Sequence, residues 1–183
     1  MKTPKSERYI LDDLISNKEL LWINDYILDS EGWKINCHPG NGINAAFSTH
    51  PVLLIQNESE IKNLFLAGYF QRIIFRVNEK LKEEENLNLP CKIKRIHIIA
   101  KSSFSDSSLH IDSDEENAWS IIGFLNPIWN NSDGGEFKLN NELIKNKAGR
   151  FIVFRSNSYH DGMPVTNKNL KYWRIVVNII IKD

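Results

Sequence analysis

The spacing of apolar residues changes at Pro90, and this change limits the possible folds more than any other feature of the chain. Within residues 7–28 and 58–85, apolar residues recur every three or four positions, which is the spacing of one helix face. After Pro90 the chain consists of short apolar runs that are separated by turn-forming segments. Because no helical pattern lies between these runs, they predict an antiparallel sandwich or barrel.

Seven runs after Pro90 have the composition of strands. They are CKIKRIHIIAK (91–101), SLHID (108–112), AWSIIGFLN (118–126), GGEFKLN (134–140), GRFIVFRS (149–156), YHDGMPV (159–165) and YWRIVVNIIIKD (172–183). The segment 32–51 is irregular and rich in Gly, Asn and Pro, so we expect a loop that could cover the mouth of a site. We predict one α+β domain over residues 1–183, with helical support at about 1–88 and a mainly β core at about 91–183.

Composition restricts the class of protein. The 183 residues suffice for one compact domain, and 23 basic residues balance 23 acidic ones. A protein that binds nucleic acid through phosphate contacts usually has a basic excess, so this partner is disfavoured. Cys37 and Cys91 form no CxxC pair, and no apolar run reaches the roughly 20 residues of a membrane span. We therefore expect a cytoplasmic protein without a signal peptide, and the oligomeric state stays open.

A candidate metal site begins with His110 and Asp112, which lie two positions apart in a predicted strand. Side chains at i and i+2 of a strand share a face and lie about 6.6 Å apart, so both can reach one metal ion. A third ligand must come from another strand, and His160 is a candidate. Two His and one carboxylate form the facial triad of non-haem Fe(II) oxygenases. The His-x-Asp pair alone is weak evidence, because it occurs often by chance.

The elements around these residues follow a fixed order over about 70 residues. They are HID (110–112), WSIIGFLNPIW (119–129), GGEF (134–137), GRFIVFRS (149–156), HDGMPV (160–165) and WRIVVN (173–178). In this order and spacing the chain resembles the prolyl-4-hydroxylase-like branch of the Fe(II)/2-oxoglutarate-dependent dioxygenases. The resemblance implies a double-stranded β-helix, or jelly roll, with supporting N-terminal helices. It also implies that His110, Asp112 and His160 hold Fe(II), and that 2-oxoglutarate and O2 are co-substrates.

The last predicted strand has one apolar face and one face with polar residues. Trp173, Ile175, Val177, Ile179 and Ile181 form the first, and the second contains Tyr172, Arg174 and Asn178. An ordinary core would not hold Arg and Asn without partners, so we predict a polar-lined interior. Arg174 could pair there with a carboxylate, which the resemblance implies to be the distal carboxylate of 2-oxoglutarate. The alternatives are a salt bridge of Arg174 at a strand edge, and Lys171 as the anchor.

The remaining predictions concern the co-substrate pocket and the reaction. Many relatives have a Tyr contact before His-x-Asp, but this chain reads AKSSFSDSS (100–108), so Ser120 and Tyr172 are candidate substitutes. His97 is predicted to be structural. Because Asp112 is retained, the resemblance implies hydroxylation and not halogenation. The substrate would be a peptidyl or free proline or another small molecule. A catalytically silent jelly-roll protein that binds a metal or ligand is the alternative.

Overall fold

The structure, a computed structural model, describes residues 7–38, 48–105 and 108–183. Within these residues lie two α-helices, α1 (Asn17–Leu28) and α2 (Leu64–Glu85), and a short 3-10 helix, Asn131–Asp133. The strands are β1 (Arg8–Leu11), β2 (Lys34–His38), β3 (Ser48–Asn57), β4 (Glu60–Ile61), β5 (Lys92–Lys101), β6 (Trp119–Phe124), β7 (Phe137–Leu139), β8 (Glu142–Ile144), β9 (Phe151–Arg155), β10 (His160–Gly162) and β11 (Arg174–Lys182). None of the described helices combines the length and the apolar character needed to cross a bilayer.

The strands form two antiparallel sheets. The larger has the order β1-β9-β6-β11-β5-β3-β2, with β4 paired to β3, and the smaller has the order β10-β7-β8. Isolated bridges join His110 to His160 and Gly134 to Val165. The predicted mainly β jelly roll with few helices is therefore confirmed.

Each face of the larger sheet has its own apolar cluster. One face packs on α1 and α2 and includes the alternating residues Ile175, Val177, Ile179 and Ile181 of β11, as predicted. Trp173 is an exception, because it precedes β11 and is exposed. The opposite face forms a smaller cluster with residues of the smaller sheet, namely Ile122, Phe124, Phe137, Leu139, Ile144, Ile152, Phe154 and Val176. This opposite face of the larger sheet therefore borders the space between the two sheets.

The prediction of helix from residue 7 was wrong for Arg8–Leu11, which form β1 and pair with β9. Asp13 has φ +63° and interrupts the apparent helical spacing. The helix α1 begins only after Ser16, whose side chain accepts a hydrogen bond from the Glu19 backbone N–H. The apolar residues before Ser16 therefore belong to a strand and a turn, although their spacing alone resembles that of a helix.

The prediction of an irregular segment at 32–51 was also wrong in part. It contains β2 and the start of β3, which pairs with β5 inside the larger sheet. The covering loop was predicted for the whole segment 32–51, and residues 39–47 of it lie outside the described residues. The second helix begins at Leu64, later than the predicted residue 58, because Asn63 caps it. These strands are stabilised by pairing with distant strands, which local composition does not reveal.

Two further differences lie in the β core. SLHID is not a full strand, since only His110 forms a bridge. The strand β8 was not predicted; it follows β7 through a two-residue loop in which Asn140 has φ +53°. Asn tolerates this left-handed conformation better than most residues. The other six predicted strands are present within a few residues of their predicted bounds.

Candidate metal centre

The backbone brings His110 and His160 together although they belong to different segments. The N–H of each residue donates to the carbonyl oxygen of the other, at 3.0 and 2.9 Å. The backbone N–H of Asp112 donates to the carbonyl oxygen of Ser156 at 2.9 Å. One ligand atom each from His110, Asp112 and His160 then lies within 4.8 Å of the others. The three predicted ligands therefore form a compact cluster, in which His160 is buried and His110 is exposed.

Backbone carbonyls orient both imidazoles. Nδ1 of His110 lies 2.8 Å from the carbonyl oxygen of Ser108, and Nδ1 of His160 lies 3.0 Å from that of Ser158. Because a carbonyl oxygen only accepts, these contacts assign the proton to Nδ1 and leave Nε2 as a lone pair. Nε2 of His160 is buried and has no hydrogen-bond partner among the described residues. A metal ion at this nitrogen would remove the cost of burying an unsatisfied acceptor.

The carboxylate of Asp112 is held by the larger sheet. Ser120 Oγ on β6 donates to Oδ2 at 2.7 Å, and Asn178 Nδ2 on β11 donates to Oδ1 at 2.9 Å. Ser120 Oγ also lies 2.8 Å from Ser156 Oγ, which must donate to it because the single Ser120 proton goes to Asp112. Arg95 Nη2 lies 3.7 Å from Oδ1. These contacts orient both carboxylate oxygens before any metal binds.

The protonation states of this cluster suit metal ligation. Burial acts to raise the pKa of Asp112, but neighbouring His160 and the hydrogen bonds from Ser120 and Asn178 outweigh it and lower the pKa. Burial is also the main cause that lowers the pKa of His160, against the opposing effect of the Asp112 charge. A charged carboxylate and a neutral imidazole are the forms that bind a metal. The cluster therefore needs to release few protons when a cation enters.

Arg174 lies at the start of β11 and is 2% exposed. The alternative of a salt bridge at a strand edge is wrong, because β11 lies between β5 and β6. Its Nη1 donates weakly to the carbonyl oxygen of Met163 at 3.4 Å, and its Nε has no hydrogen-bond partner among the described residues. Burial lowers the pKa of Arg174 to about 10, against the opposing charges of Asp161 and Glu136, so the guanidinium remains charged at neutral pH. A buried cation with unused donors is suited to bind an anion.

Of the other candidates for contacts with 2-oxoglutarate, two are exposed and the third lies beside Asp112. Lys171 is exposed and precedes β11. Tyr172 is 42% exposed, and its ring contacts that of Trp129, with ring centroids 6.0 Å apart. Ser120 is buried, donates a hydrogen bond to Asp112 and pairs in register with Ile180. The roles of these three residues toward 2-oxoglutarate stay predictions.

The polar face of β5 was missed by the sequence analysis. In register with β11, Lys101 lies opposite Arg174, His97 opposite Asn178 and Arg95 opposite Ile180. Burial and the Arg95 charge lower the pKa of His97 to about 3, so this ring is neutral, as a structural residue can be. A period-two reading of KIKRIHIIAK, like that made for the last strand, would have placed these three residues on one face.

A comparison with family models matches the part of the chain that contains this cluster. Residues 99–182 match the model described as the 2OG-Fe(II) oxygenase superfamily, and the match contains all three residues of the cluster and Arg174. By this match, the β core resembles the 2OG-Fe(II) oxygenase superfamily. The resemblance seen in the sequence is thus confirmed, and the protein is a 2-oxoglutarate-dependent dioxygenase that uses Fe(II), 2-oxoglutarate and O2.

Solved structures that share this fold align with nearly the whole length of the chain. A prolyl-4-hydroxylase from Pseudomonas putida is 15% identical, with 97% of this chain and 93% of that chain covered and a TM-score of 0.64. A Trichoplax adhaerens prolyl hydroxylase in complex with a peptide fragment of hypoxia inducible factor is 17% identical, with 98% and 84% covered and a TM-score of 0.64. A non-haem carbocyclase of nogalamycin biosynthesis is 11% identical, with 97% and 80% covered and a TM-score of 0.64. A search of curated proteins found no match.

Proposed function

We propose that His110, Asp112 and His160 ligate the Fe(II) of this oxygenase, that Arg174 binds the distal carboxylate of 2-oxoglutarate, and that the reaction is a hydroxylation. The observation that carries this proposal is the convergence of the three ligand atoms within 4.8 Å, with Nε2 of His160 buried and unsatisfied among the described residues. Two imidazoles and a carboxylate on one side of the ion leave positions open for the co-substrates. The buried charge of Arg174, on the same face of β11 as Asn178, supports the second part.

The residues of this chain hold and shield the reaction. When bound, the iron couples oxidation of a substrate C–H bond to the conversion of 2-oxoglutarate and O2 into succinate and CO2. Ser120 and Asn178 keep the Asp112 carboxylate aimed into the space between the sheets. Phe137 and Phe154 pack against the His160 ring, with ring centroids 5.5 and 5.0 Å from it. These apolar rings exclude water from one side of the metal.

For the substrate, we propose a peptidyl or free proline, or another small molecule. Two of the compared structures are prolyl hydroxylases, and one of these was solved with a peptide. The carbocyclase shows that the same fold serves other reactions, so the fold does not decide the substrate. A net charge of zero disfavours nucleic acid as a partner.

We propose further that residues 1–183 form a single domain in the cytoplasm. The helices and strands that precede the family match support the first part, since α1, α2 and β3 pack into the same core as β11. The unpaired state of Cys91 and the absence of a CxxC pair support a reducing location.

Succinate formation tests the proposal. Purified protein with Fe(II) should convert 2-oxoglutarate to succinate, and His110→Ala should reduce the rate about 100-fold or more because it removes a ligand. Asp114→Asn serves as a control, since Asp114 is exposed and lies two residues beyond Asp112. Iron binding that survives the loss of both His110 and His160 would refute the ligand assignment. Bound iron without metal-dependent succinate formation, with proline, prolyl peptides or no substrate, would favour the silent binding protein.

A further inference from the structure

A second buried cation lies directly across from Arg174. The register of β5 and β11 pairs Arg174 with Lys101. Directly opposed residues of antiparallel strands have Cβ atoms about 4.5–5.5 Å apart and point to the same face of the sheet. Lys101 is 9% exposed, so both cations lie inside the protein.

Both cationic groups converge on Gly162 of β10. Nζ of Lys101 donates to the Gly162 carbonyl oxygen at 3.1 Å. A Cβ atom added to Gly162 would lie 3.1 Å from Nη1 and 3.2 Å from Nη2 of Arg174, so the guanidinium packs against the same residue. The ammonium and the guanidinium therefore approach one small region between the two sheets.

The chemistry of this region favours an anionic ligand. A guanidinium has five donors, of which the Met163 carbonyl accepts from one, and Nε of Arg174 has no hydrogen-bond partner among the described residues. Two neighbouring buried cations repel each other, and an anion that both can contact relieves this repulsion. Asp161 and Glu136 compensate part of the charge on Arg174. The centroid of the Phe124 ring lies 5.8 Å from the guanidinium carbon of Arg174, and this ring offers no hydrogen-bond acceptor oxygen that could neutralise the charge.

We propose that Lys101 is a second cationic contact for the distal carboxylate of 2-oxoglutarate, beside Arg174. This inference rests on the proposed co-substrate site. One carboxylate between an ammonium and a guanidinium accepts charge-assisted hydrogen bonds from both. The pocket then selects 2-oxo acids with a second carboxylate at the far end. Lys101 acts by holding the co-substrate and takes no part in the oxidation.

The test measures binding without turnover. Protein loaded with Mn(II) is titrated calorimetrically, in the absence of O2, with 2-oxoglutarate and with oxalate, which chelates the metal but has no distal carboxylate. Lys101→Gln keeps a donor for the Gly162 carbonyl and removes the charge. We expect it to weaken 2-oxoglutarate binding on the order of 10-fold, while oxalate and Mn(II) binding stay unchanged. Lys101→Arg should keep most of the affinity, because it retains the charge.

The controls separate a binding role from a structural one. Lys92→Gln, at the exposed far end of β5, should bind both ligands as the wild type does. If Lys101→Gln weakens oxalate and Mn(II) binding as strongly as 2-oxoglutarate binding, Lys101 only supports β10 and the inference is wrong. Unchanged 2-oxoglutarate binding overturns it as well. If Lys101→Gln does not fold, the same titrations with 2-oxoglutarate, oxalate and Mn(II) are made on Lys101→Met, which removes the charge, and on Lys101→Arg, which keeps it. The same results then support or overturn the inference.

Arg174→Met distinguishes this inference from the proposed function. If this variant loses 2-oxoglutarate affinity and Lys101→Gln does not, only the role of Lys101 is refuted. If Arg174→Met binds 2-oxoglutarate as the wild type does, the proposed co-substrate site itself is wrong. Thermal unfolding of each variant, compared with the wild type, shows whether the fold is retained.

Discussion

The side-chain amide of Asn178 donates a 2.9 Å hydrogen bond to Oδ1 of Asp112, although the two residues are 66 positions apart. Ser120 bonds the other carboxylate oxygen from the neighbouring strand. Two strands of the larger sheet thus set the orientation of the Asp112 side chain. Asp112 itself lies outside any regular strand. Such partners position metal ligands and contribute to metal affinity.

Asn178→Leu should therefore weaken metal binding while most of the fold is retained. Loss of a hydrogen-bond partner of a metal ligand typically costs 10- to 100-fold in affinity, and we expect about 10-fold here. A titration with Mn(II) measures the effect. Ser156→Ala is the matched control, because Ser156 bonds Ser120 but does not bond Asp112 through its side chain. Equal losses in both variants would mean that the Asp112 contact has no special role.

Gly162→Ala should impair co-substrate binding and leave metal binding intact. Its Cβ would approach both Nη atoms of Arg174 to within 3.1–3.2 Å, so the guanidinium must move by a few tenths of an ångström. A guanidinium forms two hydrogen bonds to a carboxylate only in a narrow range of geometries. We therefore expect KM for 2-oxoglutarate to rise about 10-fold. Steady-state succinate assays measure KM. A KM equal to that of the wild type would indicate that Arg174 does not contact the co-substrate.

Gly68→Ala should stabilise the protein. Gly68 is an exposed residue inside α2, and an added Cβ would meet no atom within 4 Å. Alanine has a higher helix propensity than glycine, by about 0.5–1 kcal/mol in a helix interior. Urea unfolding should show an increase of that size in the free energy of unfolding. A decrease would show that this face of α2 has a contact that the added methyl group disturbs.

The stability of the N-terminal segment should depend on pH through Asp12. Its carboxylate accepts hydrogen bonds from Arg150 at 2.8 and 2.9 Å and from Lys147 at 3.0 Å. The hydrogen bonds from Arg150 are the main cause that lowers the pKa of Asp12 to about 2, and burial opposes them. Because the folded-state pKa lies below the ordinary value of 3.8, this stabilisation is present above about pH 4 and is lost as the pH falls to about 2.

Asp12→Asn should accordingly lower the free energy of unfolding by about 1 kcal/mol at pH 7, a value reduced for the partial exposure of the pair. The difference from the wild type should shrink as the pH decreases from 4 to 2. Denaturant unfolding at several pH values measures it. Asp13→Asn is the control, since Asp13 is exposed and Asn tolerates its positive φ. A pH-independent difference between Asp12→Asn and the wild type would contradict the role of the charge.

The amino-acid sequence by itself determined the features that depend on local periodicity and on motif order. The two faces of the last strand were predicted because side chains of a strand alternate with period two, which needs no knowledge of the neighbours. His110, Asp112 and His160 were predicted as metal ligands because the elements around them follow one order along the chain.

Only the tertiary structure decided which distant groups meet. Tyr9 of β1 pairs with Val153, and Leu53 of β3 pairs with Ile98, and these pairings turn predicted helix and loop into strands. Lys101 lies opposite Arg174 only because β5 and β11 adopt one particular register. Strand pairing and the burial of charged groups are stabilised by contacts between residues far apart in the chain, so no local pattern contains them.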